Sequence, residues 1–170
     1  NAVLRNLMRV LVFPLGRHAW PASDRATYRL ARDVLKPGAL RDRLAVAGFT
    51  VVQTPVDTAV ADASLEVDGA LLVPSDGRTA TMVAAACARP DVVVFDLALD
   101  FRNCTRLVVA VADSCSAAGA AAAIGALQAA GIAVTRVDDV AGLVVLRTVA
   151  MLANEAADAV QQGVCTPDGA

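Results

Sequence analysis

From about residue 48 onward the chain alternates between two spacings of apolar residues. Short runs of aliphatic and β-branched residues are Phe49-Thr50-Val51-Val52-Gln53-Thr54, Ala70-Leu71-Leu72-Val73, Val92-Val93-Val94-Phe95-Asp96-Leu97, Leu107-Val108-Val109-Ala110-Val111-Ala112 and residues 132–137. They predict strands, and because most are continuously apolar rather than alternating, they predict strands covered on both faces. Between them, residues 59–65, 78–88 and 117–130 carry small apolar residues at helical spacing. Pro55, Pro74-Ser75-Asp76-Gly77 and Gly131 punctuate the boundaries. Strand, helix, strand with short links predicts an α/β fold: a three-layer Rossmann-like parallel sheet of about five strands with right-handed crossovers. The run Ala117-Ala118-Gly119-Ala120-Ala121-Ala122-Ala123 fits a helix lying close on that sheet.

The last periodic stretch is the longest. From Val140-Ala141-Gly142 to Gly163, apolar residues recur at Leu143, Leu146, Ala150, Ala153, Ala157 and Val160, flanked by Val145, Val149, Leu152 and Ala156. Arg147, Asn154, Glu155, Asp158, Gln161 and Gln162 mark a polar side. This predicts a long C-terminal amphipathic helix whose apolar arc is too wide for one neighbour. At the other end, Arg9-Val10-Leu11-Val12-Phe13 fits either a strand or the tail of a helix begun at Val3. Ser23-Asp24 predicts a cap for a helix over 25–35, Lys36-Pro37-Gly38 breaks it, and a second helix follows over 39–47. The division that results is a basic N-terminal segment over 1–38, a reduced α/β domain over 39–139 and the helix within 140–170.

Composition narrows the class. At 170 residues the chain is one domain in size; 56% of it is hydrophobic, mostly Ala and Val, with only 4% aromatic. That favours close-packed alanine-rich helices on a buried sheet over an aromatic-anchored sandwich. No apolar run reaches the roughly 18 residues of a membrane span, and the N-terminus lacks a cleavage pattern, so neither a membrane nor a secretory route is expected. Cys87, Cys104, Cys115 and Cys165 form no C-x-x-C pair and His18 stands alone, which points away from zinc or a disulfide framework and toward the cytoplasm. Residues 1–43 hold nine Arg or Lys against three Asp, yet Arg25, Arg29, Arg32, Arg41 and Arg43 are spaced like solvated helix faces without interleaved aromatics. Nucleic acid is therefore not an expected partner.

Chemistry is sparse. G-x-G-x-x-G is absent, so the best seat for a phosphate is Val73-Pro74-Ser75-Asp76-Gly77-Arg78-Thr79, where Gly77, Arg78 and Thr79 combine a strand end, a cation and a hydroxyl at a helix start. The competing reading is a plain turn with Ser75 or Asp76 capping the helix. Ser114-Cys115-Ser116 stands at a strand end but has no neighbouring histidine, and reads as an N-cap. Asp96, Asp100 and Asp113 lie where ligands gather in such sheets, without metal-ligand spacing. Asp138-Asp139 fits the positive end of the final helix. No catalytic and no metal residue is assigned.

Asp138-Asp139-Val140-Ala141-Gly142-Leu143-Val144-Val145-Leu146-Arg147, then Asn154-Glu155-Ala156 and Gly163-Val164, resemble the 3-hydroxyacyl-CoA dehydrogenase family at the start of its helical C-terminal domain, where the pattern is D-x-P-G-x-x-x-N-R, N-E-A and G-V. Upstream, Asp76-Gly77-Arg78-Thr79-Ala80-Thr81, Val94-Phe95-Asp96-Leu97-Ala98-Leu99-Asp100 and Thr105-Arg106-Leu107 resemble the reduced Rossmann-like region of the bacterial 3-hydroxybutyryl-CoA dehydrogenase type. The resemblance covers residues 39–166. It implies a parent enzyme that oxidises a 3-hydroxyacyl-CoA with NAD. It also implies that this chain is a non-catalytic C-terminal portion, because Ala141 replaces the family's proline, Leu146 replaces the asparagine at the acyl-CoA site, and the catalytic histidine and glutamate have no counterpart. No cofactor is expected on this chain itself; the alternative is a stand-alone Rossmann-like module that binds a nucleotide or CoA phosphate around Gly77, Arg78 and Thr79 without catalysis. In the relatives the final helix packs on further helices, so here a homodimer seam along Leu143, Leu146, Ala150 and Ala153 is expected.

Overall fold

A computed structural model describes residues 38–53 and 64–166. The expected helix over 25–35, the undecided stretch 9–13 and most of the connecting helix over 59–65 lie outside the described residues. The elements are α1 (Gly38–Val46), β1 (Val52–Gln53), β2 (Leu65–Val67), β3 (Ala70–Pro74), α2 (Ala80–Cys87), β4 (Val92–Phe95), β5 (Arg106–Val111), α3 (Ala117–Ala129), β6 (Ala133–Arg136) and α4 (Val145–Gln161). They form one six-stranded sheet in sequential order.

The sheet is α/β and Rossmann-like, but it is mixed where a parallel one was expected. β3 pairs β4 in parallel and β5 pairs β6 in parallel, each across a helix, while β1 with β2, β2 with β3 and β4 with β5 are antiparallel. The reason is the length of the links. β2 and β3 are joined by Asp68-Gly69, both at positive φ (49° and 82°), a two-residue hairpin that allows only antiparallel pairing. β4 and β5 are joined by residues 96–105, which contain no helix to carry the chain back to the far end of the sheet.

The two crossovers step across the sheet in the same direction on strands of opposite sense, so a common right hand places their helices on opposite faces. The core shows this. On one face Leu65, Val67, Leu72, Val93, Phe95, Leu107 and Val109 meet Leu40 and Leu44 of α1 and Ala120, Ala123 and Leu127 of α3. On the other, Leu71, Val73, Val92, Val94 and Ala110 meet Ala80, Val83 and Ala84 of α2. Phe95 and Phe101 pack edge to face with ring centres 5.7 Å apart. Arg43, expected on a solvated face, instead donates to the carbonyls of Phe101 (3.2 Å), Cys104 (2.6 Å) and Ala130 (2.9 Å), tying α1 to the β4–β5 loop and the end of α3. Arg41 does face solvent, paired with Asp42.

α4 differs from its sequence reading at its start. Gly142 (φ 74°) and Leu143 (φ 48°) are left-handed and cannot continue a helix, so the helix begins at Val145 rather than near Val140. Among the described residues Val149 is its one buried side chain, and Met151 and Leu152 are exposed. No described helix is long and apolar enough to cross a membrane.

Two glycines of α3 offer a test of this packing. A Cβ on Gly119 falls 2.5 Å from Asp91 Cγ and 2.8 Å from its Cβ, whereas one on Gly125 meets nothing within 4 Å. Asp91 cannot swing aside without losing its 2.7 Å bond from Ser116 N. Urea unfolding is expected to show Gly125→Ala gaining up to about 1 kcal/mol from helix propensity. Gly119→Ala is expected to lose about 1–3 kcal/mol to overpacking; equal effects at both positions would contradict the close approach of α3 to Asp91.

Candidate functional site

The turn after β3 is where the sequence places its phosphate candidates. Pro74 ends the strand, and Ser75 N still donates to Phe95 O at 2.8 Å, so the chain leaves the sheet only at Asp76. Asp76 Oδ1 accepts from Arg78 N at 3.0 Å, and Gly77 at φ 100° supplies the left-handed residue the turn requires. The Arg78 side chain folds back on the same carboxylate, with Nη2 2.6 Å and Nε 3.0 Å from Oδ2. Desolvation pushes the Asp76 carboxyl upward, but hydrogen bonds and charge from Arg78 outweigh it and hold the group below its usual range. Thr79, not Ser75 or Asp76, is the N-cap of α2, its hydroxyl accepting from Met82 N at 3.1 Å. The next two N–H groups are also taken: Ala80 N donates to Asp139 Oδ1 at 2.6 Å and Thr81 N to Asp139 Oδ2 at 2.8 Å. Gly77, Arg78 and Thr79 thus share one turn as expected, yet the donors a phosphate needs are engaged by the chain's own oxygens.

A carboxylate from another element also stands at the heads of α3 and α4. Asp91 Oδ1 accepts from Ser116 N ahead of α3, while the Ser116 hydroxyl caps Gly119 N at 2.9 Å, as the N-cap reading of this serine expects. The Asp91 carboxyl lies below its usual range, chiefly through that backbone donor. α4 has no capping side chain of its own. Its first donors, Val144 N (2.9 Å) and Val145 N (2.7 Å), reach Asp96 Oδ2, a carboxylate buried at the end of β4 that also accepts from Leu97 N. Asp139, expected at the head of the final helix, therefore caps α2, and Asp96 does the work at α4. Sequence spacing could not reveal an exchange across the fold; the one signal was an aspartate inside an otherwise apolar strand run.

The family motif has a visible geometry. Gly142 stands at φ 74°, a conformation L side chains rarely adopt, and a Cβ there would make a tight 3.3 Å approach to Arg147 N. Leu143 is buried among Leu71, Val73 and Ala80 at 3% exposure, which removes it from the expected dimer seam: a residue in the core cannot face a second copy. Leu146 and Ala153 are half-buried and Ala150 is exposed. A Leu146 methyl lies 4.0 Å from where a Cβ on Gly77 would be, so α4 starts against the candidate turn.

Elsewhere, Asp100 holds its own loop, accepting from Arg102 N at 2.8 Å and Asn103 Nδ2 at 2.7 Å, and Asp113 N donates to the Thr81 hydroxyl at 3.0 Å. No three metal-ligating side chains converge among the described residues. Burial raises the Cys115 thiol, with Asp91 adding to the rise, which leaves it a poor nucleophile. The buried Ser75 hydroxyl finds no hydrogen-bond partner. An open depression of about 500 Å³ is lined by Ala39, Arg43, Val46, Ala47, Arg102 and Ala130, and none of the turn residues borders it.

Comparison with known proteins adds the relatives. A family model described as the 3-hydroxybutyryl-CoA dehydrogenase reduced Rossmann-fold domain matches residues 72–140. A second, described as acyl-CoA dehydrogenase, C-terminal, bacterial type, matches residues 1–66. The chain is 37% identical over 105 residues to a 3-hydroxyadipyl-CoA dehydrogenase of Escherichia coli K12, which covers 62% of this chain and 21% of that protein. The crystal structure of 3-hydroxybutyryl-CoA dehydrogenase from Escherichia coli K12 superposes with a TM-score of 0.55 at 33% identity, covering 70% of this chain and 23% of that one. The matched part is therefore about a fifth of the length of these relatives.

Acid titration tests the turn. A carboxyl depressed in the folded state stabilises it above the unfolded value near 3.8 and loses that contribution as pH falls through the folded value. The thermal midpoint is expected to drop as pH falls below about 4, and to drop less steeply in Arg78→Gln. Superimposable profiles for the two proteins would contradict the Asp76–Arg78 pair.

Proposed function

We propose, taking residues 72–140 as a reduced Rossmann-fold domain of the 3-hydroxyacyl-CoA dehydrogenase family, that the chain is a non-catalytic C-terminal portion of a longer NAD-dependent enzyme. The parent oxidises the 3-hydroxyl of an acyl-CoA to a ketone in the cytoplasm, and this portion serves packing or dimerisation. The observation that carries the reading is the match to a domain form already reduced in its family, in a chain that spans 21% of its curated relative.

NAD supplies hydride transfer in such an enzyme, and its pyrophosphate would need free N–H groups at a helix start. The residues here do not fit that group. The heads of α2, α3 and α4 already face the carboxylates of Asp139, Asp91 and Asp96, so a pyrophosphate would meet negative charge where it needs donors. No step of hydride transfer is assigned to this chain. Its own contribution is a platform from which α4 projects, with Ala150 exposed on the apolar arc and Leu152 exposed beside it. A second copy covers that arc along Leu146, Ala150 and Ala153, the part of the seam that remains once Leu143 is assigned to the core.

Both halves of the reading meet one preparation. The purified chain is expected not to oxidise NADH in the presence of acetoacetyl-CoA, and to sediment as a dimer that Ala150→Glu converts to monomer. Turnover of NADH would overturn the non-catalytic role. A monomer at high concentration would overturn the seam.

A further inference from the structure

We propose that Asp139 is a built-in substitute for an external anion: a latch that closes the head of α2 against phosphate and anchors the strap, residues 137–144, from which α4 departs. Two carboxylate oxygens on two consecutive backbone N–H groups, 2.6 Å to Ala80 and 2.8 Å to Thr81, reproduce the contacts a phosphate makes at a helix start. The third donor of that turn, Met82 N, is held by the Thr79 hydroxyl, and the nearby cation, Arg78, is turned onto Asp76. The three first donors of α2 and the Arg78 guanidinium are therefore all engaged by the chain's own oxygens. Asp139 comes from the far side of the sheet, after β6, so its contact joins two elements that the chain order keeps 58 residues or more apart.

The strap is fixed at two further places. The Leu143 side chain is buried in the same core cluster as Ala80 and Val83, and Val144 N and Val145 N donate to Asp96. Removing Asp139 takes away one of three holds and leaves the sheet and the head of α4 in place. The vacated head then presents two N–H groups to solvent at a positive helix end. The latch follows from the geometry of this chain and stands whether or not the parent is a dehydrogenase.

The experiment compares Asp139→Ala with the unmodified chain by thermal unfolding in chloride and in inorganic phosphate at matched ionic strength. Asp139→Ala is expected to melt several degrees lower in chloride and to regain most of that loss in tens of millimolar phosphate, while the unmodified chain responds to neither anion in preference. Equal melting of the two proteins would overturn the latch. So would a lowered midpoint that phosphate does not restore, or an equal phosphate response in both. If Asp139→Ala does not fold, Asp139→Asn, which keeps one acceptor oxygen and loses the charge, carries the same comparison.

Discussion

The heads of α2, α3 and α4 depend on carboxylates that come from other elements of the fold. A helix begins with N–H groups that no residue within it can satisfy, and a buried donor left unpaired costs about 1–3 kcal/mol. α4 starts at Val145 behind two left-handed residues and has no cap in its own sequence, so its position is set by Asp96 at the end of β4. α2 starts under Asp139, which lies on the strap leading to α4. The two contacts interlock: the strand that precedes the β4–β5 loop holds the last helix, and the segment before the last helix holds the first crossover helix. The sheet supplies the frame, but the aspartates decide where the helices leave it.

This arrangement separates Rossmann-like architecture from nucleotide chemistry. The positive end of a helix over a parallel strand pair is the usual place for a phosphate. Here that place exists after β3, with a glycine, an arginine and a threonine in the expected order, and the chain fills it with its own charge. In this turn the carboxylates of Asp139 and Asp76 stand where a bound anion would otherwise meet the helix head.

Much of this was legible in the residues. The continuous runs at Leu71-Leu72-Val73 and Val92-Val93-Val94-Phe95 announce doubly covered strands, and Ser116 announces a cap; each is found so. The hairpin was signalled by Asp68-Gly69, but residues 59–65 read more easily as helix, and without the hairpin the sheet reads as parallel. The mixed topology follows from link lengths that only become meaningful once the strands are known. The exchange of caps between Asp96 and Asp139 was not legible at all. A capping aspartate recruited from another element has no fixed spacing, so only the folded chain brings it to its helix. Leu143 failed as a seam residue for a related reason: helical periodicity assigns it to the exposed arc, whereas its φ of 48° takes it out of the helix and into the core.

Hydrogen exchange at the helix starts reads the central interaction most directly. First-turn amides normally exchange fast because nothing accepts from them. The amides of Ala80, Thr81, Val144 and Val145 are expected to be protected to the level of the strand amides, with the pair at α2 losing protection in Asp139→Ala and the pair at α4 losing it in Asp96→Ala. Fast exchange at all four in the unmodified chain would show that the carboxylates do not hold these helices, and the account would fail at its base.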